Sequence, residues 1–432
     1  MSSLVPRSDT SEFRFRIPPD WELTPSGMGL IYVIGLDGTP MPCKVRVDRN
    51  SPEVVHGPIV HIARNQNESG HVYFSFPHPH RGEMLLSTGT LPVAEEAYDM
   101  LKELARGTLN RLRNQLSIWE EGGLQVPEEF HHQINLAVHD LAQSIMAGSP
   151  TEQDALATRA IVRTVDLIFE ISWRFAQQIS RYRCEHPEMP GFWLSITVPP
   201  DLRAVCQAKG DFDILRIKEL DFIDGEVKSL AKLNSPLIVG PWLDASQGGL
   251  PLSLIDVGDH SARRQTILTD LRSALEQLPA NVNLIHLVSG INGIGHRHLS
   301  YPQQIQLVVD MLQLVDDSLI EVPVMISFDF PWAERLAGAV GGIHPLQIAD
   351  SILRQGVPVS FFGLEVNLDY SPCGSAVRDP LQWIDLIDIW NQLEVPIVIL
   401  LRAPFGGASI PADQPIDRFC LLYTSPSPRD RG

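Results

Sequence analysis

Two carboxylates, Asp329 and Glu365, stand near the ends of consecutive β-rich runs, Val324-Met-Ile-Ser-Phe-Asp-Phe330 and Phe361-Phe-Gly-Leu-Glu-Val-Asn-Leu-Asp-Tyr370. Side chains alternate between the two faces of a strand. Ser327 and Asp329 therefore oppose Ile326 and Phe328, and Glu365, Asn367 and Asp369 oppose Leu364, Val366 and Leu368. Neighbouring strands lie about 4.8 Å apart. Two carboxylates so placed approach the roughly 5–5.5 Å of a retaining glycosidase pair, and crowding of like charges leaves an acid beside a base. A second reading stays open, in which Asp329 caps the loop before Phe330-Pro-Trp332 and Glu365 pairs with Arg402.

Further polar groups gather at the ends of other runs. Trp242 and Asp244 lie together in Leu237-Ile-Val-Gly-Pro-Trp-Leu-Asp244, His286 lies on one face of its run with Asn292 just beyond, and Arg402 ends the run from Pro396. With Trp332, Asn367 and Asp369, these are the candidate substrate-binding residues beside the catalytic candidates Glu365 and Asp329. Trp242, Trp332 and Trp383 offer flat faces on which sugars stack, and packing of loops is the competing use of such side chains. The pairs His78/His80 and His296/His298 have the spacing of two metal ligands on a strand, but no third ligand is evident, so no metal site is expected. Gly293-Ile-Gly295 lacks the spacing of a phosphate loop. No cofactor is expected.

The elements that must hold these residues follow from periodicity. Over 12–90, short apolar runs at Gly29–Gly35, Cys43–Val47, Ile59–Ala63, His71–Phe76 and Glu83–Ser87 are separated by turn residues, which predicts a small antiparallel β-sandwich. Over 93–185 the period becomes helical, with stripes through Leu101, Leu104, Leu112, Leu116 and Trp119, through Phe130, Ile134, Val138, Leu141 and Ile145, and through Leu156, Ala160, Leu167, Ile171, Phe175 and Ile179. Ser149-Pro-Thr-Glu152 reads as a capping box at the start of the third helix. From 187 to 420, β-rich runs at Phe192–Val198, Ile214–Leu220, Pro236–Leu243, Leu284–Val288, Val322–Phe328, Phe361–Leu368 and Pro396–Leu401 alternate with helical segments. The alternation predicts an α/β fold, a TIM-type (β/α) barrel lacking its last strand, with an open doubly wound sheet as the rival. Residues 421–432 have no period and a Pro/Ser/Arg bias, and read as a non-native tail on a truncated chain.

Composition narrows the partners. Among 432 residues, 34 Lys and Arg against 52 Asp and Glu give a net charge of −18, which disfavours a phosphate backbone as partner. No stretch approaches the roughly 20 apolar residues of a membrane span. Met1-Ser-Ser-Leu-Val-Pro-Arg7 has no apolar core of a signal peptide, so a cytoplasmic location is expected. The cysteines Cys43, Cys184, Cys206, Cys373 and Cys420 are scattered, with no C-x-x-C pair, and read as buried reduced thiols. Oligomeric state is left open.

The barrel segments resemble glycoside hydrolase family 10. Gly356-Val-Pro-Val-Ser-Phe-Phe-Gly-Leu-Glu-Val-Asn-Leu368 looks like the sixth strand of its xylanases, Val322–Trp332 like the fifth and Leu393–Arg402 like the seventh, while Gly240–Pro251 resembles the third-strand loop. Over most of 28–418, including Glu103–Gln115 and Ser375–Trp383, the chain is similar to xylanase-like proteins of planctomycete type. The resemblance implies an O-glycosyl hydrolase acting on a poly- or oligosaccharide. It also exposes two departures. Ser289-Gly290 stands where the family's acid/base Glu follows an Asn, and Leu400-Leu-Arg402 stands where its nucleophile Glu ends a strand. Neither glutamate carries over. The alternatives are relocated chemistry at Glu365 and Asp329, a catalytically inactive carbohydrate-binding or scaffold protein on a degenerate barrel, or a barrel enzyme for another small substrate.

Overall fold

A computed structural model describes residues 11–21, 31–36, 38–49, 57–186, 193–198, 214–217, 237–244, 260–278, 280–292, 299–318, 320–333, 343–368, 375–402 and 418–423; for 193–198, 214–217, 244, 260, 402 and 418–423 it describes the backbone alone. The chain divides into two compact units. The first holds residues 1–187, 333–342 and 376–386, and the second holds the remainder.

In the first unit, the short runs form β1 (Ser11–Arg16), β2 (Tyr32–Gly35), β3 (Pro40–Met41), β4 (Cys43–Asp48), β5 (Ile59–Arg64), β6 (Gly70–His78), β7 (Gly82–Ser87) and β8 (Tyr98–Asp99). They pair as two sheets, in the orders β4-β5-β1-β8 and β3-β2-β6-β7. The alternation of β1 is strict: Phe13 and Phe15 are buried and Arg14 and Arg16 are not. Three helices follow: α1 (Met100–Glu121), α2 (Glu128–Met146) and α3 (Pro150–Glu185). The first and third begin at a side-chain cap. The Asp99 carboxylate accepts from Lys102 N at 3.2 Å, and the Ser149 hydroxyl accepts from Glu152 N at 3.3 Å with Pro150 in the first turn.

The β segment and the helical segment that follows it share part of their core. Phe13, Phe15, Val60 and Ile62 from one sheet and Val33, Val72, Phe74 and Leu86 from the other pack in a single cluster with Leu101 and Leu104 of α1 and Ala157, Ala160 and Ile161 of α3. The first turns of α1 and the N-terminal half of α3 bury their stripes on strand side chains, while Leu112, Leu116, Phe130, Ile134, Leu167 and Ile171 pack in a second cluster, helix against helix. Residues 376–386 belong here as well. Asp379, with no exposed surface, pairs with Arg111 of α1 at 2.8 Å, and Gln382 Nε2 donates to Leu85 O at 2.7 Å.

The second unit holds a curled, mostly parallel sheet. Its strands are β9 (Trp193–Val198), β10 (Ile214–Ile217), β11 (Leu237–Val239), β12 (Leu243–Asp244), β13 (Val282–Ser289), β14 (Val324–Asp329), β15 (Phe361–Asn367), β16 (Ile397–Arg402) and β17 (Arg418–Tyr423). Between them come α4 (His260–Leu275), α5 (Tyr301–Asp317), α6 (Pro345–Leu353) and α7 (Pro380–Asn391), the last of which crosses from one unit into the other. Parallel pairings link β9 through β11 and β13 through β16, and β11 pairs with β13, which joins the two runs.

One expectation is corrected at the end of the chain. β17 pairs antiparallel with β16 on one side and with β9 on the other, so the hydrogen-bonded neighbours form a circuit and Leu421–Tyr423 lie in a strand. An antiparallel ladder needs only backbone N–H and C=O groups at the right spacing, which a segment without apolar period still supplies.

Candidate active site

One face of the curled sheet carries an apolar floor. Ile238, Leu284, Met325, Val398 and Leu400, with Phe361 against them, form a buried cluster contributed by β11 and β13–β16. The residues that follow on the same face, toward the C-terminal strand ends, are polar. After Leu284 comes His286. After Met325 come Ser327 and Asp329. After Phe361 come Gly363, Glu365 and Asn367. Parallel registers set Ser327 opposite Gly363 and Asp329 opposite Glu365. On the opposite face, Phe328, Phe362 and Trp390 of α7 form an aromatic group with ring centroids 5.0–6.0 Å apart, which fixes which way β14 and β15 turn their alternate residues.

Glu365 is 1% exposed. Its Oε1 takes hydrogen bonds from Ser289 Oγ at 2.5 Å, from Gly290 N at 2.9 Å and from Ser327 Oγ. Its Oε2 is buried and has no hydrogen-bond partner among the described residues. His286, with no exposed surface, sets its Nε2 2.8 Å from Ser327 Oγ and 3.1 Å from Val288 O. A carbonyl oxygen only accepts, so Nε2 carries a hydrogen.

Two irregularities make this cluster possible. The register of β13 against β14 shifts between His286 and Val288. A bulge of this kind changes the phase of side-chain alternation, and here both His286 and Ser289 reach the Ser327–Glu365 group. At Gly363, a Cβ would stand 2.5 Å from Ser327 Cβ and 3.2 Å from Leu400 Cδ1. Only a residue without a side chain leaves Ser327 room.

Asp329 is held differently. Its carboxylate Oδ1 accepts from Phe330 N at 3.0 Å and from Asn367 Nδ2 at 3.2 Å. Its backbone N–H donates to Asn292 Oδ1 at 2.8 Å, and Asn292 Nδ2 donates back to Asp329 O at 2.5 Å. Phe330 and Ala333 have φ of +48° and +59°, a conformation non-glycine residues rarely adopt. Asp329 thus fastens a tight turn as the capping alternative requires, while standing in register with Glu365.

The remaining candidates divide. His286, Asn292 and Asn367 join the site through the contacts above. Trp242 packs with Ala274 of α4 and with Leu278, and its backbone N–H donates to His286 O at 3.1 Å, so it supports the strand from the helix side. Its neighbour Gly240 has φ of +113°, and a Cβ there would meet His286 O at 2.1 Å. Trp332 is half-buried in the turn after Asp329, and Trp383 is half-buried in α7. Asp244 lies opposite Ser289 in the backbone register and Arg402 opposite Asn367, while Glu365 faces Leu400; their side chains, and all of Asp369, lie outside the described residues, as do His296, His298 and Gly293–Gly295. Among the described residues no group of three metal-ligating side chains exists. His78 is buried against Val162 O at 3.5 Å and takes the His80 N–H on Nδ1 at 3.3 Å. Ser289, Ser327 and Gly290, which hold Glu365, are not among the candidates read from the sequence, although strand alternation puts Ser327 on the face of Asp329 and Ser289-Gly290 stands where the resembled family has Asn-Glu.

No family model matches the chain, and no curated protein matches it. Among solved structures, a GH10 endoxylanase retrieved from a sugarcane soil metagenome is 9% identical with a TM-score of 0.36, over 50% of this chain and 69% of that one. Xylanase 10B from Thermotoga petrophila RKU-1, in complex with xylobiose, is 10% identical at 0.36, over 50% and 72%. TsXylA, an intracellular xylanase from Thermoanaerobacterium saccharolyticum, is 13% identical at 0.34, over 50% and 76%. At TM-scores of this size the architecture rests on the strand pairings themselves.

Proposed function

We propose that the protein is glycoside-hydrolase-like and acts on a poly- or oligosaccharide at the C-terminal strand ends of a TIM-type barrel, with Glu365 as the reacting carboxylate and Asp329 beside it. The observation that carries this reading is the state of Glu365: it is buried, fixed through one oxygen by three donors, and its other oxygen has no partner among the described residues. A buried carboxylate oxygen without a donor costs stability. Such a cost at a strand end, where barrel sites are built, suits a ligand that brings a donor, as every sugar hydroxyl does.

The alternative reading is a carbohydrate-binding protein that does not cleave. It is favoured by the engagement of Asp329 with Phe330 N and Asn367 Nδ2, which gives that carboxylate a structural task.

Hydrolysis of xylan and xylo-oligosaccharides by the parent and by Glu365→Gln, with melting temperatures measured on both, decides between them. Loss of 10²-fold or more in rate with the fold intact supports the reacting role. Hydrolysis unchanged by Glu365→Gln removes Glu365 from it. Binding of xylo-oligosaccharides without hydrolysis by the parent supports the non-cleaving alternative.

A further inference from the structure

The contacts around Glu365 have a direction. Val288 O can only accept, which places a hydrogen on His286 Nε2; that hydrogen also faces Ser327 Oγ at 2.8 Å. Ser327 has one hydroxyl hydrogen. Its two acceptors are Glu365 Oε1 and, more distantly, Val288 O at 3.4 Å, and the closer contact is the one to Glu365. The order is therefore His286 Nε2–H to Ser327 Oγ, then Ser327 O–H to Glu365 Oε1. Gly290 N–H, which cannot accept, donates to the same oxygen at 2.9 Å. Every described partner of Oε1 donates to it, and Oε2 has no hydrogen-bond partner among the described residues.

We propose that His286 and Ser327 are positioning residues that hold Glu365 as a one-sided hydrogen-bond acceptor, with Oε2 presented to a hydroxyl of a carbohydrate ligand. This rests on the carbohydrate reading above for the ligand, and on the donor chain alone for the role. The donor chain leaves Oε2 for the ligand and fixes Oε1 as an acceptor. Ser289 steadies the same oxygen from β13 but has no described donor behind it, so it ranks below Ser327 in fixing direction. Hydrogen bonds to charged groups contribute about 1.5–3 kcal/mol, and tenfold corresponds to about 1.4 kcal/mol. Breaking the chain at Ser327 should therefore cost about tenfold or more in function.

Two readouts on the whole chain test this. The first needs no activity: ¹⁵N spectra of histidine-labelled protein, with the His286 signal assigned by its loss in His286→Gln. The Nε2–H form is expected, with a signal that moves in Ser327→Ala. An Nδ1–H form, or a His286 signal indifferent to Ser327→Ala, overturns the donor chain. The second is calorimetric titration with xylohexaose and turnover of soluble xylan for Ser327→Ala, His286→Leu and His286→Gln. The first two should lose about tenfold, and His286→Gln, which keeps an N–H donor, should recover most of it. Equal loss in Gln and Leu variants overturns the positioning role. An intact Nε2–H signal in a parent that neither binds xylohexaose nor turns over xylan overturns the assigned ligand while sparing the donor chain, so the two failures are told apart.

Discussion

Ser327 reaches Glu365 across the space above Gly363. The two residues are on neighbouring parallel strands but out of register, Ser327 lying opposite Gly363 and Glu365 opposite Asp329. The hydroxyl spans that offset along the strand, and a side chain at 363 would stand in its way. The close approach of β14 and β15 on this face is thus a condition of the site as well as of the packing.

Gly363→Ala tests that condition. Its Cβ would lie 2.5 Å from Ser327 Cβ, 3.2 Å from Leu400 Cδ1 and 3.3 Å from Met325 Sδ, three neighbours fixed in a filled interior. Overpacking of this kind costs about 1–3 kcal/mol. We expect a lower urea midpoint and, in the same protein, displacement of the His286 ¹⁵N signal as Ser327 is pushed aside. A variant as stable as the parent with an unmoved signal contradicts the account.

The pair Arg111–Asp379 is expected to behave as a buried ion pair whose halves are not equivalent. Asp379 has no exposed surface and Arg111 keeps some, and Asp379 Oδ1 also takes the backbone N–H groups of Leu381 and Gln382. Removing the cation strands the carboxylate, which costs about 3–5 kcal/mol, whereas replacing both partners by apolar residues is much less costly. Arg111→Met should therefore destabilise more than Arg111→Met with Asp379→Leu, read by urea unfolding. The opposite order would show that the pair is not what holds 376–386 in the first unit.

Much of this arrangement is legible in the sequence, for local reasons. The strands β13–β16 are short apolar runs, and α5, α6 and α7 each carry a proline in the first turn, Pro302, Pro345 and Pro380, where a missing N–H does no harm. What is not legible is set by distant parts of the chain. The bulge in β13 breaks the period of two, so strict alternation groups His286 with Val288 and Gly290 and misses Ser289. The attachment of Asp379 to Arg111 joins residues 268 apart, and no periodicity reports that. Trp242 reads equally well as a sugar platform or as packing, because both need a flat apolar face; only the presence of Ala274 and Leu278 against it decides.

The cysteines separate by exposure, contrary to the reading of all five as buried. Cys184 on α3 is exposed, while Cys43 on β4 is half-buried and burial pushes its thiol up, against smaller opposing effects from a Val33 backbone hydrogen bond and from Arg64. Alkylation proceeds through the thiolate. Iodoacetamide at pH 8, followed by peptide mapping, should modify Cys184 well before Cys43. Comparable rates at the two sites would mean that the β4–β5 edge opens readily in solution.

Two groups of the first unit, His78 and Asp379, should weaken it in separate pH windows. Burial pushes His78 down, outweighing the attraction of Asp166. The unfolded chain therefore takes up a proton at this residue first, and stability is lost as pH falls from about 6.5 toward the lower folded value. At Asp379, burial pushes the carboxyl up, but the Arg111 guanidinium and the Gln382 hydrogen bonds together outweigh it and hold the carboxyl below its usual range. Its contribution is complete above about pH 4 and is lost only as pH falls further, through the depressed folded value. Urea unfolding of the parent from pH 8 to pH 3 should show both declines. His78→Gln should remove the first and keep the second, and Asp379→Asn should flatten the second at the cost of a lower plateau. A first decline that survives His78→Gln would place it on another histidine. A second decline that survives Asp379→Asn would mean that the Arg111 pair does not govern the acid limb.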